Sequence, residues 1–384
     1  MESTPKSRIW TCLAAGLALA LLVGCEAPDD SGADAAAAGD MGGQPQVDPS
    51  WPTLPDDWLI GEVAGIAVDM DDNIWIIHRP RSLNADEAGL MQDPPVTQCC
   101  NPAPPVLKFD SDGNLLDSWG DHTGYPGEGY DWPSSEHGIF VDHMMNVWVA
   151  GNGPDDHQVI KFSADGTFLM QIGQSGRTEG SNNTEFLGRP ADMEVDPETN
   201  ELYIADGYLN KRIIVFDADT GDYKRHWGAY GNEPSDDDTG AFMPGEEPIQ
   251  QFRTPVHAVR ISSDGLVYVA DRVNNRIQVF QKDGTYVDEM IVEGSTLGNG
   301  STWDLELSPD TAQEHLYNAD GANQRIHIID RAALEVSDHF GRRGRYSGQF
   351  HWVHNVVVDS QGNFYTAEVN QGRRAQKFVV GGGR

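Results

Sequence analysis

The sequence predicts an all-β chain, a six-bladed β-propeller with four antiparallel strands per blade, and three observations carry that reading. A six-residue segment returns six times, each copy leads through a turn into a second alternating strand, and third and fourth strands recur behind it. The copies are Ala64-Gly65-Ile66-Ala67-Val68-Asp69, His137-Gly138-Ile139-Phe140-Val141-Asp142, Ala191-Asp192-Met193-Glu194-Val195-Asp196, His257-Ala258-Val259-Arg260-Ile261-Ser262, Trp303-Asp304-Leu305-Glu306-Leu307-Ser308 and His354-Asn355-Val356-Val357-Val358-Asp359. Their starts lie 73, 54, 66, 46 and 51 residues apart. A unit of roughly 45 to 50 residues therefore carries insertions in some copies.

In chain order, Lys6 and Arg8 precede an apolar run from Leu13 to Val23, too short to span a bilayer comfortably. Leu22-Val23-Gly24-Cys25 resembles the lipobox of bacterial lipoproteins, which implies a signal segment over 1–25 and lipidation of Cys25. Residues 26–50, rich in Ala, Gly, Asp and Pro without apolar periodicity, read as a flexible acidic tether. The propeller is expected over 51–384. Its second strands follow Asp-Gly or Asn turns, as in Asn146-Val147-Trp148-Val149 and Gly265-Leu266-Val267-Tyr268-Val269. Third strands recur as Gln158-Val159-Ile160-Lys161-Phe162, Arg212-Ile213-Ile214-Val215-Phe216, Arg276-Ile277-Gln278-Val279-Phe280 and Arg325-Ile326-His327-Ile328-Ile329, and a fourth follows the Asp165-Gly166 turn.

The formal charge is −34, and the acidic residues are spread along the chain. Binding of nucleic acid or of an anionic membrane by the body is therefore not expected. Membrane attachment would come from the N-terminal lipid alone, on an exported protein held at the cell envelope as a monomer. Once Cys12 leaves with the signal segment and Cys25 is acylated, Cys99 and Cys100 remain. In an oxidising compartment they form a vicinal disulfide or sit free; no base motif adjoins them to make them catalytic.

Three of the six copies begin with histidine, and they are the second, fourth and sixth: His137, His257 and His354, among only 12 histidines in the chain. In a propeller the first strand of each blade lines the central channel, so these imidazoles converge at thirds of a turn. Three protein nitrogens with an open fourth position describe catalytic zinc, whereas structural zinc is closed by a fourth ligand, and no cysteine is placed to supply one. The competing reading is that each histidine is a channel residue satisfied by backbone or water; His122, His226 and His339, in loops or strand ends, keep that reading.

The wording of the repeats, Val269-Ala270-Asp271-Arg272-Val273-Asn274-Asn275-Arg276-Ile277-Gln278-Val279-Phe280 above all, resembles the NHL repeat family. Several stretches also look like the lyase domain of the peptide-amidating enzymes, peptidyl-α-hydroxyglycine α-amidating lyase. They are Ile77-His78-Arg79, His137-Gly138-Ile139, Asp206-Gly207-Tyr208-Leu209-Asn210-Lys211-Arg212, Pro255-Val256-His257 and Ala270-Asp271-Arg272, with His354 heading the last blade. The resemblance implies zinc on His137, His257 and His354, Tyr208 as base, and Arg79 and Arg272 near the substrate carboxylate. It also implies a calcium ion held by the carbonyls of Ile66 and Ile139 and by the residue after the last histidine, where this chain has Asn355 in place of an acid. Tyr208 also suits a packing role, Arg81 stands close enough to replace Arg79, and Asp271 and Arg276 offer Arg272 structural partners. The family's last histidine follows Met-Pro, here Trp352-Val353, and a disulfide cysteine expected after the base tyrosine is Leu209. A copper-dependent hydroxylating domain is not expected in this chain, so a hydroxyglycine substrate would come from elsewhere.

The function this implies is cleavage of a carbinolamide C–N bond in a small-molecule or peptide substrate, giving an amide and glyoxylate. The alternative is a lipid-anchored NHL propeller that binds a protein or ligand and keeps a metal only for structure. Long insertions at Pro94 to Pro105, Gly120 to Ser135 and Gly231 to Gln251 suit lids over a pocket or recognition loops.

Overall fold

Six four-stranded antiparallel sheets form the blades. In the computed structural model, which describes residues 43–120 and 129–381, the inner strands are Glu62–Val68, Glu136–Val141, Asp192–Asp196, Val256–Ile261, Asp304–Leu307 and Val353–Val358. Each touches the next, and Val353–Val358 closes the ring against Glu62–Val68. The expected signal segment with Cys25, most of the tether and His122 lie outside the described residues.

The core is not central. Among the described residues it is divided into six apolar clusters, one between each pair of adjacent blades, such as Tyr203, Ile213 and Trp227 of the third blade with Val259, Val267 and Phe280 of the fourth, and a small seventh of Ala64, Trp303 and Val369. Inward-alternating Val, Ile and aromatic residues on both faces of every blade dictate this, because each sheet is sandwiched by two neighbours.

A recurring polar hairpin sets the turn between the first two strands. Asp69 accepts hydrogen bonds from the backbone and side chain of Asn73 and from the indole N–H of Trp75 (2.9 Å), while Lys108 reaches the same carboxylate at 3.1 Å and lies 4.7 Å over the Trp75 ring. Asp142, Asn146 and Trp148 repeat the pattern, and Asp359, Asn363 and Tyr365 repeat it with a phenol. Trp75 and Trp148 can be fully buried because this carboxylate satisfies their N–H.

The last blade has only three strands from its own stretch of chain. Its outermost strand is Gln46–Asp48, paired antiparallel with Arg374–Val379. These residues fall inside the stretch that composition assigns to the tether. A three-residue edge strand leaves little apolar periodicity to read, and what fixes it is pairing with a strand over 300 residues away, with Val47 packed against the Phe340 and Phe378 cluster.

Antiparallel order puts the heads of all inner strands at one rim, together with the loops after each second strand and the links between blades. The first and third long insertions fall at that rim. The first of them is pinned by Trp58–Leu59, which pairs in parallel with Asn101–Pro102, and Cys99 and Cys100 within it form a vicinal disulfide.

Candidate metal centre and substrate pocket

Four inner strands carry a bulge at their heads. Register against the second strand skips between Val63 and Gly65, between Glu136 and Ile139, between Val256 and Ala258, and between Val353 and Asn355. The extra residue therefore falls at Ala64, within His137-Gly138, at His257 and at His354, while the third and fifth blades run in unbroken register. A bulged residue leaves the strict in-out alternation and re-aims its side chain. The bulges thus turn three imidazoles toward one point.

The three rings are buried and nearly equidistant, with centroids 4.8, 4.9 and 5.1 Å apart and planes close to perpendicular. One nitrogen of each lies within 4.8 Å of the others. Two of the rings are oriented from the following blade: His137 Nδ1 donates to the carbonyl of Ala191 (2.7 Å) and His257 Nδ1 to that of Trp303, whereas His354 Nδ1 donates to the side-chain carbonyl of its neighbour Asn355 (2.5 Å). A carbonyl can only accept, so Nδ1 carries the proton and Nε2 presents its lone pair to the centre.

Tyr208, in the loop after the second strand of the third blade, places its hydroxyl 2.9 Å from His137 Nε2 and 3.0 Å from His257 Nε2. One phenolic proton cannot satisfy both lone pairs. Burial pushes the pKa of His137 and His257 well below the ordinary imidazole range and that of His354 down to about 3, with the neighbouring imidazoles and Arg79 or Arg272 adding to the effect. The imidazoles stay neutral near neutrality and offer three converging lone pairs. Three neutral imidazole nitrogens of this kind fit a borderline cation such as zinc.

A pocket of about 190 Å³ opens beside His354, lined by Arg79, Asn152, Tyr208, Arg272, Trp303 and Trp352 among others. Arg272 lies 4.5 Å over the Trp303 ring and 3.3 Å from the Tyr208 hydroxyl; its Nε is buried without a partner. Asp271 does not neutralise it, being taken by Arg276 at 2.7 Å, the arrangement Asp206 and Arg212 repeat one blade earlier. Arg79 reaches the same pocket but is committed to Glu62 (2.7 Å), to the Glu136 carbonyl and to Asn152. Arg81 points away, to Glu136 Oε1 and the carbonyls of Pro133 and Ser134. His78 is structural: its ring bonds the Gly61 N–H and the Pro104 carbonyl, and burial holds its pKa down to about 4.

Ile66 and Ile139 line a separate cavity of about 370 Å³ at the other end of the channel, with Glu194, Arg260 and Glu306. Arg260 sits between Asp192 (2.5 Å) and Asp304 (3.3 Å) as a fixed positive charge, and Asn355 offers one neutral oxygen already engaged by His354. These donors do not fit a hard divalent cation, which seeks six or more oxygens with carboxylates among them.

Sequence reasoning missed Arg189, whose guanidinium lies 5.7 Å from the Tyr208 ring and bonds the Asn152 carbonyl, and Asn152 itself. Both stand outside the repeated segments. The carbonyls of Ala191 and Trp303 were legible only as members of the same register position as the histidines.

The NHL repeat signature matches residues 256–280. Peptidyl-glycine alpha-amidating monooxygenase B of Xenopus laevis is 29% identical over 258 residues, covering 64% of this chain and 26% of that protein. NHL repeat-containing protein 3 of Homo sapiens is 31% identical over 245 residues, 62% of this chain and 57% of that one. A probable peptidyl-alpha-hydroxyglycine alpha-amidating lyase of Caenorhabditis elegans is 22% identical over 321 residues, 82% and 81%. The chain spans 26% to 57% of the length of the first two of these relatives. A streptogramin B lyase structure shares the fold, with a TM-score of 0.51 at 11% identity over 88% of this chain and 98% of that one. The chain is thus a six-bladed β-propeller that carries one stretch matching the NHL repeat and is similar in sequence to proteins named as peptidyl-glycine alpha-amidating monooxygenase and peptidyl-alpha-hydroxyglycine alpha-amidating lyase.

Proposed function

We propose that the chain is a zinc-dependent lyase that cleaves the C–N bond of an α-hydroxyglycine carbinolamide, releasing an amide and glyoxylate. The observation that carries this is the Tyr208 hydroxyl held between two metal-facing imidazoles with an unneutralised Arg272 beside it. Zinc on His137, His257 and His354, when bound, would polarise the hydroxyl oxygen of the substrate. Tyr208 takes the hydroxyl proton as the C–N bond breaks and the carbonyl of glyoxylate forms; the same proton then goes to the departing amide nitrogen, which leaves the enzyme unchanged. Arg272 supplies a planar fork for the carboxylate, and Arg79, already paired with Glu62, orients the opposite wall.

Purified protein should carry one equivalent of zinc and release glyoxylate from α-hydroxyhippurate. Tyr208→Phe should keep the zinc and lose roughly 10²-fold or more in kcat. Zinc without turnover, indifferent to Tyr208→Phe, would sink the lyase reading in favour of a binding propeller with a structural metal, which the similarity to NHL repeat-containing protein 3 favours. An unchanged metal content in His257→Ala would sink the metal site itself.

We also propose export and lipid anchoring through Cys25, with the propeller a monomer outside the membrane and no contact with nucleic acid. Cys25→Ser should move the protein from the membrane to the soluble fraction; equal fractionation of the two would overturn the anchor.

A further inference from the structure

Two tryptophans form one wall of the pocket beside His354. Trp303 is 3% exposed, donates its indole N–H to the Gly300 carbonyl (2.7 Å) and stands edge-on to His354 at 5.8 Å. Trp352 is half-buried, its ring 5.9 Å from that of Trp303.

Trp352 is held in an unusual way. Its φ is +63°, left-handed backbone that a bulky aromatic residue rarely adopts. Its N–H donates to Gln324 Oε1 at 2.6 Å, and its carbonyl accepts the Val369 N–H at 3.1 Å. Gln324 has the same left-handed φ and is tied through its amide to the Gly321 carbonyl. A Cβ at Gly321 would lie 2.6 Å from the Trp303 ring, so glycine there lets the wall close. Two uncommon backbone positions and a glycine keep these indoles together. Trp352 packs on the buried Ala64, Trp303 and Val369 with part of its ring, and the rest lines the pocket.

We propose that Trp352, backed by the buried Trp303, makes a one-sided aromatic slot for the acyl group of the substrate amide, which makes the substrate a short N-acyl-α-hydroxyglycine with an aromatic acyl group rather than a small aliphatic one. The α-hydroxyglycine end of that assignment rests on the lyase reading above; the slot does not. Arg272 stacks on Trp303, so the charge that takes a carboxylate adjoins the wall that takes a ring. The volume of about 190 Å³ is below the roughly 300 Å³ at which drug-sized ligands begin to fit, leaving room for the carboxylate end and one ring-sized group.

Calorimetric titration of the zinc-loaded protein with the unreactive probes N-benzoylglycine and N-acetylglycine tests the slot. Wild type should bind the benzoyl probe about tenfold more tightly or better; Trp352→Leu should bring the two within about threefold, and Trp352→Phe should keep most of the preference. Binding of the two probes with equal affinity, binding of neither, or a preference untouched by Trp352→Leu overturns the proposal. If Trp352→Leu fails to fold, the wild-type ratio and Trp352→Phe still decide. Glyoxylate release from N-benzoyl-α-hydroxyglycine is read separately: preference without release removes the lyase reading and leaves the slot, and release without preference does the reverse.

Discussion

Arg272 is buried, yet no carboxylate among the described residues pairs with it, and one of its nitrogens has no partner at all. A buried charge left this way is costly unless an anion arrives. Arg272→Lys keeps the charge but loses the planar fork, so KM for α-hydroxyhippurate should rise about tenfold or more with a smaller change in kcat. An unchanged KM would assign the carboxylate to another residue. The histidines were legible in sequence because all three obey one register position and nothing else in the repeat demands histidine there. In sequence Arg272 was the one with structural partners at hand, in Asp271 and Arg276, and Arg79 was exchangeable with Arg81; the structure reverses the ranking, since Glu62 claims Arg79 and Arg276 claims the acid beside Arg272. Arg189 and Asn152 left no signal because a carbonyl contact in a loop has no spacing to read.

At the level of the strand, the bulge converts a channel-lining position into a ligand. The period-two pattern identified the inner strands but gave no sign of the extra residue, because His137, His257 and His354 look the same in an unbroken strand. Gly138 makes the second-blade bulge possible: a Cβ there would lie 2.8 Å from the Ala191 carbonyl, the acceptor that orients His137, and 2.6 Å from Met193 Cε. Gly138→Ala should therefore weaken zinc binding about 10- to 100-fold through loss of that orientation. Chelator competition measures this, and wild-type affinity would show that the bulge tolerates a side chain.

For the molecule as a whole, ring closure and channel charge set stability. Gln46–Asp48 covers the edge of Arg374–Val379, and Val47 packs on the last blade's core. Removing everything before Pro49 should cost roughly 2 kcal/mol or more and promote association through the bared edge, visible as a lower Tm and as oligomers on gel filtration. A Tm equal to the full chain's would mean that the three-residue strand contributes nothing. At the far end of the channel, burial pushes the Glu194 carboxyl up to about 8 and Glu306 up to about 7, against an ordinary value near 4.5. Such groups hold a proton more tightly when folded, so their contribution is complete below the ordinary carboxylate range and fades as pH rises through 7 and 8. Tm should fall from pH 5 to pH 9, and less steeply in Glu306→Gln; parallel curves for the two proteins would refute this. The blade count was legible from the recurrence of one segment, whereas the source of the closing strand was not, because closure is a long-range pairing with almost no local pattern. The alternation of histidine-bearing and plain blades has a consequence of parity. In the second and fourth blades the imidazole is steered by a carbonyl of the next blade. Gain or loss of a single blade would set two like blades side by side and abolish the three-fold convergence.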